Sequence, residues 1–165
     1  MNLGIVDVIE RTLLTTGQWD PIVEHVLRSC LKRGDTFLDV GANIGYFSLL
    51  ASQLIGDEGW VVSFEPSARA LSKLTRHLCL NQCDNVTVCS QAMGQSSGTA
   101  VLNWAPSSNI GGSTLNRARP SQGYSERVAV RALDDVCREM DLVPSVIKLD
   151  VEGFELFALR GAEQT

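Results

Sequence analysis

An apolar strand that runs into an acidic residue and a glycine turn constrains this chain more than any other feature. Thr36-Phe37-Leu38-Asp39-Val40 leads straight into Gly41-Ala42-Asn43-Ile44-Gly45. An apolar stretch at helical spacing follows, then Trp60-Val61-Val62-Ser63-Phe64 and Glu65-Pro66. Two short strands joined through a helix run parallel, and the crossover is right-handed. Strands that are apolar on both faces need cover on both faces. In such a sheet, ligands bind beyond the carboxyl ends of the strands. Asp39, the glycine turn and Glu65 all fall there.

The neighbouring segments repeat the alternation. Residues 3–14 read as a short helix. Asp20-Pro21 starts a second, because an Asp N-cap before a first-turn proline is favoured sterically and electrostatically. Ile22, Val23, Val26, Leu27, Cys30 and Leu31 continue it at helical spacing up to Gly34. Ile44 to Leu54 reads as the helix after the first strand. Ser67 can cap a helix carrying Leu71, Leu74 and Leu78, and Asn85–Cys89 is a third strand. The middle differs: Thr99–Trp104 and Arg127–Ala132 form a β-hairpin insertion around a long Ser/Gly/Pro loop. A helix over Leu133–Met140, a fourth core strand over Val146–Asp150 and a helix over Gly153–Gly161 complete the pattern. The expectation is an α/β fold, a parallel sheet sandwiched by helices. It forms a single domain over 1–165, with a helical segment at 1–33 and the core at 34–165.

Bulk properties narrow the partners. A formal charge of −5 without a dense Lys/Arg run gives no general attraction to nucleic acid. No apolar run approaches a membrane span, and Met1 to Glu10 lacks the basic start of a secretory signal. The five cysteines are odd in number and include no CxxC pair, which suits reduced thiols and a cytoplasmic location. Cys79 and Cys83 read as two half-buried thiols rather than half a metal site, and no metal is expected.

The glycine turn discriminates between cofactors. A dinucleotide fingerprint needs a second glycine where the backbone approaches the pyrophosphate. That position is Asn43, and the third glycine is also missing. S-adenosylmethionine has no phosphate and tolerates a looser turn. Gly41 and Gly45 can let backbone approach it, and Asp39 can face its cationic end directly or through water. Glu65 follows Gly41 by 24 residues. A carboxylate ending the second strand can accept from both ribose hydroxyls. Ser90-Gln91-Ala92 ends the third strand beside the adenine position. The structural alternative is a tight turn with solvated strand ends.

Together with Gly111-Gly112-Ser113-Thr114-Leu115 and Ile147-Lys148-Leu149-Asp150-Val151-Glu152-Gly153-Phe154-Glu155, these motifs resemble the FkbM-type methyltransferases over roughly residues 20 to 163. That resemblance implies a Rossmann-like fold and S-adenosyl-L-methionine as cofactor. It implies cofactor contacts at Asp39, Gly41, Asn43 and Glu65 and near Ala92, and puts Asp150 toward the methyl group and acceptor. Many members are O-methyltransferases. The family's sheet continues past Gly161, so the resemblance also implies that the last three strands are absent. The fourth strand then becomes an apolar edge. The chain is then a fragment, is poorly stable, or has that edge covered by a second copy or another chain.

For methyl transfer to an alcohol, the protein aligns the acceptor and supplies a base. Asp150 is the first candidate and Glu152 the second. Either can instead cap the next helix or orient the cofactor's amino group. Ser113 and Thr114 can donate to the acceptor if the loop with Asn109, Gly111 and Gly112 closes over it; a mobile hairpin connection is the alternative. Lys148 is expected to guard the strand edge or pair with a carboxylate. His25 and His77 are expected to lie away from the chemistry. The leading expectation is O-methylation of a small-molecule or glycan hydroxyl. The alternatives are a cofactor-binding or interaction module without turnover, and a nucleotide-dependent oxidoreductase.

Overall fold

The computed structural model describes residues 1–115 and 124–165. Part of the expected Ser/Gly/Pro loop lies outside them. The order is α1 (Val8–Thr16), α2 (Pro21–Cys30), β1 (Thr36–Val40), α3 (Tyr46–Ile55), β2 (Trp60–Phe64), α4 (Ala68–Leu80), β3 (Val86–Cys89), β4 (Ala92–Met93), β5 (Gly98–Asn103), a 3-10 turn (Ile110–Gly112), β6 (Ser125–Arg131), α5 (Leu133–Glu139), β7 (Val146–Leu149) and α6 (Glu155–Arg160). Four strands form a parallel sheet in the order β3-β2-β1-β7. This is the Rossmann-like, helix-sandwiched architecture the strand pattern predicts.

The central strands explain the layers. In β1, Phe37 and Leu38 are fully buried yet point to opposite faces, as alternation requires. Phe37 and Val61 of β2 pack with Leu27, Leu31, Phe47, Leu50, Ala51 and Ile55 of the α2 and α3 side. Leu38, Val40, Val62 and Phe64 pack with Leu133, Val136 and Cys137 of α5 and Ala158 of α6. Burying such a side chain stabilises the fold by about 1.5–3 kcal/mol. No helix is long and apolar enough to cross a membrane among the described residues.

Several boundaries differ from the sequence reading. Helix α1 begins later, where Asp7 accepts from the Ile9 and Glu10 amides. Helix α3 starts at Tyr46 rather than Ile44, because left-handed Asn43 (φ 49) and Gly45 (φ 88) belong to the turn before it. Asp20 does cap α2 through the Val23 amide. Ser67 does not cap α4 with its side chain; its buried Oγ has no hydrogen-bond partner among the described residues. Cys79 is exposed rather than half-buried.

The expected β-hairpin insertion is an antiparallel β5–β6 ladder, and the unforeseen strand β4 pairs parallel to β6 to make a second, three-stranded sheet. Asn103 and Thr114 exchange backbone hydrogen bonds of 2.9 and 3.0 Å and close the base of the intervening loop. Among the described residues β7 pairs only with β1 and forms the sheet edge. Ile147 on it is 37% exposed.

Candidate active site

A cleft opens at the carboxyl ends of β1, β2 and β7. Gly41, Asn43, Glu65, Gln91, Ala92, Ser113, Lys148, Asp150 and Glu152 all line it. The sheet explains their convergence. The Gly41 and Ala42 amides both donate to the Phe64 carbonyl, which folds the turn after β1 over the end of β2. On the other side, Asp150 donates its amide to the Val40 carbonyl. Gly41 has φ 80, and a Cβ there would collide with the Asp150 carbonyl. Glycine is therefore what lets β1 and β7 deliver their ends to one crevice.

Glu65 is buried at 7% exposure. Its Oε2 accepts from the Asn43 amide and its Oε1 from the Ser67 amide, both at 2.8 Å. Burial nevertheless raises its pKa to about 7, against the lowering effect of the two amides and of Lys148. Each carboxylate oxygen keeps acceptor capacity beyond its amide bond. The side chain is thus a pinned acceptor at the end of β2.

Asp39 departs from the expectation. Its carboxylate has no exposure and is not among the residues lining the cleft. Oδ2 accepts from Ser48 Oγ at 2.7 Å, and Ser48 accepts from Ser63 Oγ at 2.8 Å. Oδ1 pairs with Lys148 Nζ at 3.0 Å, a residue directly beside it in the β1–β7 register. Lys148 therefore pairs with a carboxylate, one of its two expected roles. It also donates to the Gly41 carbonyl at 2.9 Å and lies 5.5 Å from the centroid of the Phe47 ring.

Gly45 is also outside the lining; a Cβ there would meet Leu74 of α4. Thr114 lies outside it as well, buried, with Oγ1 donating to the Glu152 carbonyl at 2.6 Å. The hydroxyl expected to reach the acceptor instead holds the turn after β7. That turn is tight: Glu152 has φ 50 and Gly153 φ 87. Glu155 Oε1 accepts from the Gly153 amide at 3.0 Å and from the Val151 amide at 3.3 Å. Asp150 is exposed at the mouth.

The loop before Thr114 forms a wall of the cleft through Asn109, Ile110, Gly111 and Ser113. It is tied to α1, because Asp7 Oδ2 accepts from the Ile110 amide at 2.7 Å and the Val8 amide donates to the Ser108 carbonyl at 2.9 Å. Helix α1 is in turn held by buried Glu10, which pairs with Lys73 of α4. The only sequence signal for this brace is Asp7 in N-cap position. Trp19, Tyr46, Phe47 and Phe154 also line the cleft. No spacing rule points to them. Tyr46 donates to Glu24 at 2.7 Å, and burial with that bond raises its pKa. His25 is exposed on α2, and His77 is buried against the Ile44 and Asn2 carbonyls, away from the cleft.

The FkbM methyltransferase domain model matches residues 39–165 of this sequence. The chain belongs to the FkbM methyltransferase domain family. An FkbM methyltransferase from Methylobacillus flagellatus superposes with a TM-score of 0.56 at 24% identity, over 79% of this chain and 29% of that one. A SAM-dependent methyltransferase from Aquifex aeolicus gives 0.41 at 27% identity over 48% of this chain and 41% of its own. A SAM-dependent O-methyltransferase from Thermotoga maritima gives 0.41 at 17% identity over 48% of this chain and 32% of its own. The chain thus spans less than half the length of each. No curated protein matches the sequence.

The residues present fit the cofactor of an FkbM methyltransferase. Among the described residues, Asn43 Oδ1 is a buried acceptor without a hydrogen-bond partner, and Asn43 lines the cleft beside the pinned carboxylate of Glu65. An adenosyl group brings hydroxyl and amino donors to such acceptors.

Proposed function

We propose that the cleft binds S-adenosylmethionine and that the protein methylates a hydroxyl of a small molecule or glycan. The observation that carries this reading is Glu65. It is buried, fixed by two backbone amides and still able to accept from a ribose diol. Bound S-adenosylmethionine would supply a methyl group made electrophilic by its sulfonium.

The protein's own work is then alignment and proton handling. Glu65 fixes the ribose. Gln91, just past the end of β3, and Ala92, the first residue of β4, flank the adenine. Gly41 and Asn43 shape the floor. Asp150 is the first candidate to take the acceptor's proton, because it ends β7 at the exposed mouth of the cleft. Glu152 is the second. Ser113 lines the facing wall, where it can meet the acceptor; its Oγ donates to the Ile110 carbonyl at 3.1 Å and accepts from the Ala105 amide at 3.2 Å. Thr114 serves by holding the Glu152 backbone.

Transfer of a labelled methyl group to a panel of sugar, polyol and polyketide alcohols, with amines and thiols alongside, tests the proposal. Hydroxyl methylation that Asp150→Asn lowers at least tenfold supports it. Transfer confined to amines or thiols would overturn the O-methylation reading. Cofactor affinity unchanged in Glu65→Ala would overturn the assigned site.

A further inference from the structure

The sheet order acts as a ruler along the cleft. From β3 through β2 and β1 to β7, the carboxyl ends present Gln91, with Ala92 opening β4 next to it, then Glu65, then the glycine turn, then Asp150. A ligand whose ribose sits on Glu65 and whose adenine lies toward β3 must extend its other end toward β1 and β7. For S-adenosylmethionine that end is a zwitterion, an ammonium and a carboxylate on one carbon.

The charges on the β1–β7 side are the reverse of a simple reading of the motif. The buried carboxylate of Asp39 is engaged by Ser48 and Lys148 and does not reach the cleft. Lys148 does line it, with its ammonium on the carbonyl of Gly41, another lining residue. Its side chain is only 11% exposed. Of its three N–H donors, one goes to Asp39 and one to the Gly41 carbonyl. Among the described residues the third has no partner and is left for whatever occupies the cleft. An ammonium held in place by two acceptors and shielded from water is a strong partner for an anion, since charge-assisted bonds gain strength when preorganised and desolvated. The cleft's anions beyond it at the same strand end are exposed Asp150 and half-buried Glu152.

We propose that Lys148 is the carboxylate-binding group of the cofactor site: its third N–H takes the carboxylate of the ligand's amino-acid end, and the Asp39–Ser48 pair fixes the ammonium for that purpose. The assignment rests on the cofactor reading above. It makes the buried Asp39 a positioning residue, acting on the ligand through Lys148. It also leaves the ligand's ammonium to face Asp150.

Calorimetry with two probes tests it: S-adenosylhomocysteine, and the decarboxylated thioether amine that keeps the adenosine, sulfur and ammonium. The wild-type protein is expected to bind the carboxylate form at least tenfold more tightly. In the paired variant Lys148→Met with Asp39→Asn, which removes both buried charges together, that preference should fall to about twofold or less. The carboxylate form should lose affinity and the amine should not. Lys148→Arg should keep most of the preference. Equal binding of the two probes by the wild-type protein would overturn the assignment without any variant, even if the paired variant fails to fold. So would a preference that survives in a folded paired variant. Failure of the wild-type protein to bind either probe would overturn the cofactor reading instead.

Discussion

Glu65→Gln separates the role of Glu65 as a buried acid from that of an ordinary strand-end carboxylate. Burial raises its pKa from an ordinary 4.5 to about 7 in the folded protein. The folded state therefore holds this proton more tightly than the unfolded chain does. Its contribution is fully present below about pH 4.5 and is lost as the pH rises through 7. Within that window stability should fall by up to about 1.4 kcal/mol per pH unit, or about 3 kcal/mol in all. Glutamine does not titrate, so the loss should vanish in the variant. The side-chain amide nitrogen that the substitution introduces must also face the Asn43 or Ser67 N–H, which adds a pH-independent cost of about 1–3 kcal/mol. Urea unfolding of both proteins at pH 5, 6 and 7 reads the difference, and other titrating groups cancel. Ligand binding supplies the second half of the test. Ribose hydroxyls donate to the ionised carboxylate, so binding lowers its pKa. With a free-state value of about 7, binding S-adenosylhomocysteine at pH 6 should release close to one proton, about 0.9 at most. Calorimetry in buffers of different ionisation enthalpy measures it. A stability difference independent of pH, or tight binding with no proton release, would refute the reasoning.

Asp39→Asn alone should cost about 3–5 kcal/mol in denaturant unfolding, because it leaves Lys148 buried without its counter-charge; the paired change with Lys148→Met should recover most of that loss. Gly41→Ala should lower stability by more than about 1–2 kcal/mol from its left-handed φ alone, and should abolish S-adenosylhomocysteine binding by pushing β7 away from β1. Asp7→Ala should cost about 1 kcal/mol for the lost cap of α1 and speed hydrogen exchange at Ile110, whose amide it accepts, while the Phe64 amide in β2 stays protected.

The sequence motifs make the sheet and the mouth of the cleft legible, because those depend on local rules. Apolar strands, a glycine turn and a carboxylate after the second strand specify parallel strands and what stands at their ends. Glu65, Asp150 and Gln91 are found that way and do line one cleft. The misreadings come from distance in sequence. Asp39 and Lys148 are 109 positions apart, and only the β1–β7 register shows that they neutralise each other. Thr114 reads as an acceptor contact until the turn at Glu152 is seen beneath it. The brace from Asp7 through Ile110 to the cleft wall joins residues 103 positions apart. Strand β4 has two residues and no periodicity to reveal it.

The central claim is that this cleft holds S-adenosylmethionine with the ribose on Glu65. A crystal structure with S-adenosylhomocysteine, at a concentration shown by calorimetry to saturate the protein, tests it most directly. Both ribose hydroxyls are expected on the Glu65 carboxylate, the adenine toward Gln91 and Ala92, and the amino-acid end toward β7. A ligand bound elsewhere, or bound here with its ribose away from Glu65, would contradict it.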